Sequence, residues 1–137
     1  MAKDFYHYHF KTALEKEGWN VTDDPFELRI GRVGYEIDLG AEKLIAANKG
    51  SEKIAVEIKN FLNPSPVNEF HKAMGQYNDY AAALDIKEPD RALYLAIPEE
   101  TWNDFFQERV IQAALERMRA SLIVYNPEKK QIVEWIP

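Results

Sequence analysis

The chain has 137 residues, of which 46% are hydrophobic and 29% charged, and its formal net charge is −6. These values are typical of one soluble globular domain, which we place at residues 1–137. The chain contains no cysteine, so disulfides and thiolate zinc sites are excluded, whereas a cation held by oxygen ligands is not. No apolar run approaches the roughly 20 residues that span a bilayer, and the N-terminus lacks a signal-peptide core, so we expect a cytoplasmic protein.

The charge balance argues against a protein that coats nucleic acid by bulk electrostatics. Residues 1–66 carry 9 basic and 11 acidic side chains, and residues 67–137 carry 8 and 12, so neither half is a basic arm. Binding to DNA therefore requires a local basic patch, a metal that offsets the carboxylates, or a partner. The candidates for a distal basic contribution to DNA binding are Arg109, Arg117 and Arg119, with Lys129 and Lys130 beyond them.

In chain order, the first predicted element is an amphipathic helix over residues 4–17, with Gly18 as its C-terminal cap. Short strand-like runs follow at 19–22 and 27–31.

Residues 35–39 then alternate strictly, which puts Tyr35, Ile37 and Leu39 on one face of a strand and Glu36 and Asp38 on the other. Two more strand-like runs, 43–47 and 53–60, are joined by a predicted hairpin loop at 48–51. We therefore predict an antiparallel meander over residues 34–60.

The second half begins with a helix over residues 67–85, followed by a buried strand at 91–97. A helical segment over 98–118 and a closing hairpin over 121–136 complete the chain. The predicted fold class is α/β, with a mixed β-sheet flanked by helices and a parallel crossover through the second helix.

Three ionisable residues interrupt the strand-like runs of the first half. Glu57 and Lys59 are two residues apart, so both side chains leave the same face of a strand, and Asp38 lies in the neighbouring strand. Two carboxylates are the ligands that Mg²⁺ prefers, with water and substrate oxygens in its remaining positions. We predict a magnesium site at Asp38, Glu57 and the backbone carbonyl of Ile58, where Mn²⁺ could substitute. Such a site suits phosphodiester cleavage, in which Lys59 would stabilise the negative charge of the transition state.

The spacing of Asp38 and Glu57-x-Lys59 resembles the PD-(D/E)XK nuclease superfamily, which implies a restriction-endonuclease-like fold and cleavage of DNA. Gln76 and Tyr80 have the Q-x-x-x-Y spacing of a RecB-like branch of these nucleases, which implies a role in supporting the site or contacting substrate. Related resolvases carry a metal-assisting Glu on the first helix. The matching position here is His7, whose imidazole is a candidate metal ligand or a candidate hydrogen-bond donor to a phosphate.

Over nearly all its length the chain resembles the XisH family, the fdxN element excision controlling factors of cyanobacteria. The resemblance is carried by the segments at 17–19, 35–42, 56–59 and 75–77. It implies that the protein acts with a site-specific recombinase and a companion excision controlling protein in programmed excision of a DNA element during heterocyst development.

Two classes of function follow. In the first, Asp38, Glu57 and Lys59, with Gln76, Tyr80 and His7, form the catalytic site of a Mg²⁺-dependent DNA endonuclease, for which a homodimer would suit cleavage of both strands. In the second, the chain is a non-catalytic adaptor that binds DNA or protein and controls a separate recombinase. Under the second interpretation the charged trio is a sheet-surface ion pair, and Gln76, Tyr80 and His7 are ordinary helix residues.

Overall fold

A computed structural model of the chain describes residues 2–47 and 49–137. Its elements, in chain order, are α1 (Ala2–Lys16), β1 (Asn20–Asp23), β2 (Phe26–Ile30), β3 (Val33–Ile37), β4 (Leu39–Ala46), β5 (Gly50–Ile58), α2 (Pro66–Lys87), β6 (Arg91–Pro98), α3 (Glu99–Asn103), a 3₁₀ turn (Phe105–Gln107), α4 (Arg109–Met118), β7 (Leu122–Asn126) and β8 (Gln131–Ile136). Asn48, in the predicted hairpin loop at 48–51, lies outside the described residues. Among the described residues, no helix is both long and apolar enough to span a bilayer.

The main sheet has the strand order β1-β4-β5-β6-β7-β8. Its outer pairs are antiparallel, whereas β5, β6 and β7 run parallel. The connection from β5 to β6 is long enough for a helix, and α2 occupies it, as parallel neighbours require. The predicted mixed sheet flanked by helices is confirmed.

The two faces of the sheet bury separate cores. On one face, α2 and α4 pack through side chains such as Phe70, Leu84 and Ile111 against the sheet residues Leu95 and Val124. On the other face, a second cluster joins Phe10 and Leu14 of α1 to sheet residues that include Val56 and Tyr125. The sheet is therefore apolar on both faces, and a charged group within it is an exception that needs a partner.

The predicted meander over 34–60 is wrong in its first strand. Strand β3 pairs with β2 in a separate two-stranded sheet, and β4 pairs with β1 and β5. Ile37 and Leu39 are both fully buried, but they belong to the two different cores. The chain thus changes sheets at Asp38, and the continuous alternation expected over residues 35–39 breaks there.

The β2–β3 hairpin is fastened tightly to the main sheet on either side of this break. A Cβ on Gly40 would lie 2.6 Å from the Phe26 ring, so a glycine is needed where the hairpin crosses the sheet. The guanidinium of buried Arg91 lies 4.5 Å from the centre of the same ring and donates to the Ile54 carbonyl at 2.9 Å. Both contacts hold the hairpin against the main sheet. They therefore fix the position of Asp38, which links the hairpin to β4.

The predicted helix over 98–118 is divided into α3, the 3₁₀ turn and α4. Phe106 in the 3₁₀ turn is fully buried and packs edge-to-face on Phe61 and Phe70. A straight helix would carry that ring away from the core, so aromatic packing accounts for the interruption.

Candidate active site

Asp38 and Glu57 are paired across neighbouring strands. The antiparallel register sets Leu39 opposite Val56, and continuing it by one residue sets Asp38 opposite Glu57, with both side chains on the same face. The N–H of Asp38 donates to Glu57 Oε1 at 3.2 Å, and the N–H of Ile58 donates to Asp38 Oδ2 at 2.8 Å. Each carboxylate is therefore fixed by the backbone of the opposite strand.

Ile58 and Lys59 lie at the carboxyl end of β5, and their backbone N–H groups point to opposite sides of the strand. The N–H of Lys59 donates to Ala96 in β6 at 3.0 Å, whereas that of Ile58 turns toward Asp38. The N–H and C=O of one strand residue point to the same side of the strand, so the Ile58 carbonyl is on the Asp38 side. The Lys59 ammonium lies 3.6 Å from Glu57 Oε2.

These side chains line an open cavity of about 500 Å³ beside the carboxyl end of β5. All six of the predicted catalytic side chains reach it, and the full lining is Asp4, His7, Asp24, Pro25, Glu36, Asp38, Glu57, Lys59, Gln76 and Tyr80. Five of the ten lining residues are acids, and the amine of Lys59 and the imidazole of His7 are the basic groups among them. The cavity therefore suits a cation more than a bare anion.

The pKa of Glu57 lies above the ordinary value of a glutamate. Burial raises its pKa to about 7, the negative charge of Asp38 adds to the rise, and the Lys59 ammonium opposes it. The Glu57 residue is 9% exposed, so water screens little of this repulsion. At neutral pH a proton or a metal cation is needed to relieve the charge of the pair.

Gln76 and Tyr80 come to the cavity from α2, one turn apart on the same side of the helix. Gln76 Oε1 is buried and has no hydrogen-bond partner among the described residues, which leaves an acceptor for a water, a ligand or a substrate donor. The Tyr80 hydroxyl donates to the Glu36 carbonyl at 3.4 Å. Burial, with the charges of Glu57 and Asp38, raises the pKa of Tyr80 to about 12, so the phenol stays neutral at physiological pH.

His7 lines the cavity but bonds to a residue that the sequence patterns did not single out. Its Nε2 lies 2.8 Å from Asp24 Oδ1, and the Lys11 ammonium donates to Asp24 Oδ2 at 2.9 Å. Burial raises the pKa of Asp24, but the hydrogen bond from Lys11 and the charge of His7 outweigh that effect and hold it below its ordinary value. Asp24 lies in the turn before Pro25, and no spacing rule connects that turn to α1.

The Glu69 carboxylate, which the sequence analysis did not single out, fixes the turn after Lys59. Phe61 is 8% exposed and has a φ of 58°, which is strained for an aromatic residue. The Glu69 carboxylate compensates by accepting from the N–H groups of Phe61 and Asn63 at 3.2 and 3.3 Å. Thr101 Oγ1 also donates to the Asn60 carbonyl at 3.3 Å. An acid in the first turn of a helix is the only sequence signal that pointed to Glu69.

The donors present fit a hard divalent cation held partly by water. The carboxylates of Asp38 and Glu57 line one cavity with Gln76, whose Oε1 is an unused acceptor. The Ile58 carbonyl lies on the Asp38 side of β5. Within residues 2–47 and 49–137, no cluster of three or more His, Cys, Asp or Glu side chains could by itself hold a metal. Mg²⁺ keeps several waters and uses one or two carboxylates, so the two carboxylates of Asp38 and Glu57 are enough protein ligands for such an ion.

Comparison with known proteins gives one consistent result. The family model described as XisH protein matches residues 1–133. A crystal structure of an XisH family protein from Nostoc punctiforme is 38% identical, with a TM-score of 0.89 and coverage of 97% of this chain and 99% of that one.

A crystal structure of an fdxN element excision controlling factor protein from Anabaena variabilis is 41% identical, also with a TM-score of 0.89, and covers 98% and 99%. Among curated proteins, none matches the chain.

Proposed function

Because the chain belongs to the XisH family, we propose that it acts in programmed excision of a DNA element, as a Mg²⁺-dependent endonuclease of the PD-(D/E)XK type. The excision role is supported by the similarity to the Anabaena variabilis protein, which is described as an fdxN element excision controlling factor. The observation that carries the nuclease proposal is the mutual bracing of Asp38 and Glu57 beside the Lys59 ammonium.

Each residue has a task in phosphodiester hydrolysis. Asp38, Glu57 and the Ile58 carbonyl would hold the cation, which supplies Lewis acidity toward the phosphate and lowers the pKa of a bound water. The Lys59 ammonium stabilises negative charge that develops on the phosphate, since it is held within 3.6 Å of Glu57 in a partly desolvated cavity. Gln76 orients a water or a substrate donor through its free Oε1.

Tyr80 and His7 line the cavity and have supporting roles in this proposal. The neutral Tyr80 phenol packs on Tyr35 with the ring centres 5.3 Å apart and fixes the hairpin strand that leads into Asp38. His7, held by Asp24, lines the same cavity, where an imidazole can donate a hydrogen bond to a phosphate oxygen.

In this proposal the protein works with a companion excision controlling protein and a site-specific recombinase. A homodimer would let the two strands be cut together.

The second candidate is an adaptor that binds DNA or protein without cutting. Its support is electrostatic: the cavity lining holds five acids, and the whole chain has a net charge of −6, so a phosphate backbone is repelled unless a cation or a partner is bound. In the adaptor, Lys59 and the carboxylates of Glu57 and Asp38 form an ion pair of the sheet that has no catalytic task.

A cleavage assay separates the two. Branched, nicked and linear DNA are incubated with the protein, alone and with its excision partners, in Mg²⁺ or Mn²⁺ at about pH 8, where Glu57 is ionised. The nuclease proposal predicts cleavage that is lost in Asp38→Asn and Lys59→Ala and kept in Lys53→Ala, a matched lysine on β5 that lies 3.9 Å from Asp90 instead. Cleavage that survives Asp38→Asn and Lys59→Ala rules out this site. No cleavage of any substrate, with DNA or partner binding unchanged in both variants, favours the adaptor.

A further inference from the structure

A groove lies between α2 and α4, and its volume is about 510 Å³. Four of its six lining side chains are apolar and two are basic: Phe70, Met74, Ala114, Met118, His71 and Arg117. We refer to it as the α2–α4 groove.

The apolar stripe continues along both helices toward their N-terminal ends. Val67 precedes Phe70 by one turn of α2 and is 48% exposed, and Val110 precedes Ala114 by one turn of α4 and is 73% exposed. Two exposed valines in line with a groove floor are unlike apolar residues scattered singly on a surface. Met74 and Met118 add unbranched side chains that adjust to the shape of an occupant.

The lining also carries positive charge, in a chain that is acidic overall. Its two basic side chains are His71 on α2 and Arg117 on α4. Across residues 2–47 and 49–137, the ion pairs within 4.0 Å do not include Arg117. Its charge is therefore available to a carboxylate brought by an occupant.

The groove is separated from the candidate active site by the body of α2. Met74 and Gln76 point about 200° apart around the helix axis, because successive residues turn by about 100°. The groove and the cavity thus lie on the two flanks of α2, and an occupant of the groove leaves the cavity open.

We propose that the α2–α4 groove binds an amphipathic helix of a partner protein, whose apolar side chains enter the groove and whose flanking carboxylates pair with Arg117 and His71. A third helix is the natural occupant of a groove formed by two helices, because apolar anchors at i, i+4 and i+7 follow the same direction. A DNA backbone does not suit the apolar floor, since it would leave phosphates without donors there. This inference does not depend on whether the cavity cuts DNA.

The test uses two synthetic helical peptides of about five turns with the same leucine stripe, one flanked by glutamates and the other by lysines. Binding is measured by fluorescence anisotropy with the whole protein and with three variants. Val110→Asp puts a negative charge on α4 one turn before the lining residue Ala114. Arg117→Glu reverses the charge of a lining side chain. Ile86→Asp is the matched control, because Ile86 on α2 is 72% exposed and remote from the groove.

The glutamate peptide is expected to bind the wild type about tenfold more tightly than the lysine peptide. Val110→Asp should weaken that binding about tenfold or more, Arg117→Glu should remove the preference for glutamate, and Ile86→Asp should change neither. Equal binding of the two peptides, or equal effects of Val110→Asp and Ile86→Asp, would overturn the proposal. So would a wild-type dimer in sedimentation that Val110→Asp dissociates, because the occupant would then be a second copy of the chain.

Discussion

Asp38 and Glu57 are each held by the other's strand, since Glu57 Oε1 accepts the N–H of Asp38 while Asp38 Oδ2 accepts the N–H of Ile58. This arrangement keeps two carboxylates together in a largely buried place, although their charges repel. The repulsion is part of the folded structure, and it makes stability and cation binding depend on pH in predictable directions.

Replacing Glu57 with Gln should stabilise the protein at about pH 8 by on the order of 2 kcal/mol. The folded protein holds a proton on Glu57 up to about pH 7, whereas the ordinary value is 4.5. Between these values the folded state binds more protons than the unfolded state, so the wild-type free energy of unfolding falls as pH rises and levels off above pH 7. Urea unfolding at several pH values measures the effect. Glu52→Gln, an exposed site on the same strand, should show no such dependence, and a Glu57→Gln curve parallel to that of the wild type would contradict the assignment.

Mn²⁺ affinity should fall about tenfold for each pH unit below 7, because the cation must displace the proton on Glu57. Above about pH 8 the affinity should become constant. Calorimetry in buffers of different ionisation enthalpy should detect close to one proton released at pH 6 and close to none at pH 8.5. An affinity that does not change across this range would place the cation away from Glu57.

Lys59→Ala should lower the rate of cleavage by about 10²–10³ while leaving Mn²⁺ bound, because the ammonium stabilises developing charge and is not a ligand. Single-turnover cleavage and Mn²⁺ titration above pH 8 measure the two properties separately. Lys53→Ala is the matched control on β5 and should behave like the wild type. A Lys59→Ala protein that loses Mn²⁺ binding would show that the lysine maintains the carboxylate pair.

Glu69→Ala should loosen the turn that follows Lys59, because the amides of Phe61 and Asn63 lose their acceptor while Phe61 keeps a strained φ. We expect a loss of about 1–2 kcal/mol in stability and faster hydrogen exchange at those two amides. Cleavage should slow about tenfold, with DNA affinity in Ca²⁺ unchanged. Glu69→Gln, which keeps one acceptor, should recover part of the rate. Asp79→Ala, at an exposed acid on the same helix, should alter none of these, and equal effects of Asp79→Ala and Glu69→Ala would refute the role of the turn.

Sequence reasoning predicted which side chains lie near one another more fully than the path of the chain around them. The two-residue spacing that puts Glu57 and Lys59 on one face is a local property of a strand, and the pairing of the two strands that flank the 48–51 loop follows from their short connection, so sequence reasoning captured both. The break at Asp38 was hidden, because Ile37 and Leu39 are both apolar and alternation cannot tell that they enter different cores. Helical spacing predicted one helix over 98–118, whereas burial of the Phe106 ring divides it.

Asp24 and Glu69 escaped prediction for a different reason. Each acts through a contact between segments that only the tertiary structure brings together: Asp24 binds His7 of α1, and Glu69 binds the turn after β5. Their residue types are common in turns and in first helical turns, where local roles suffice to explain them. No pattern in one sequence separates the two uses.

The most direct test of the metal site is the anomalous difference density of crystals soaked in Mn²⁺ at about pH 8, where Glu57 is ionised. The proposal predicts one peak between Asp38 and Glu57, at about 2.0–2.3 Å from an oxygen of each and from the Ile58 carbonyl, and no peak in Asp38→Asn crystals soaked in the same way. A cavity without density at saturating Mn²⁺, or a peak that survives Asp38→Asn unchanged, would contradict it.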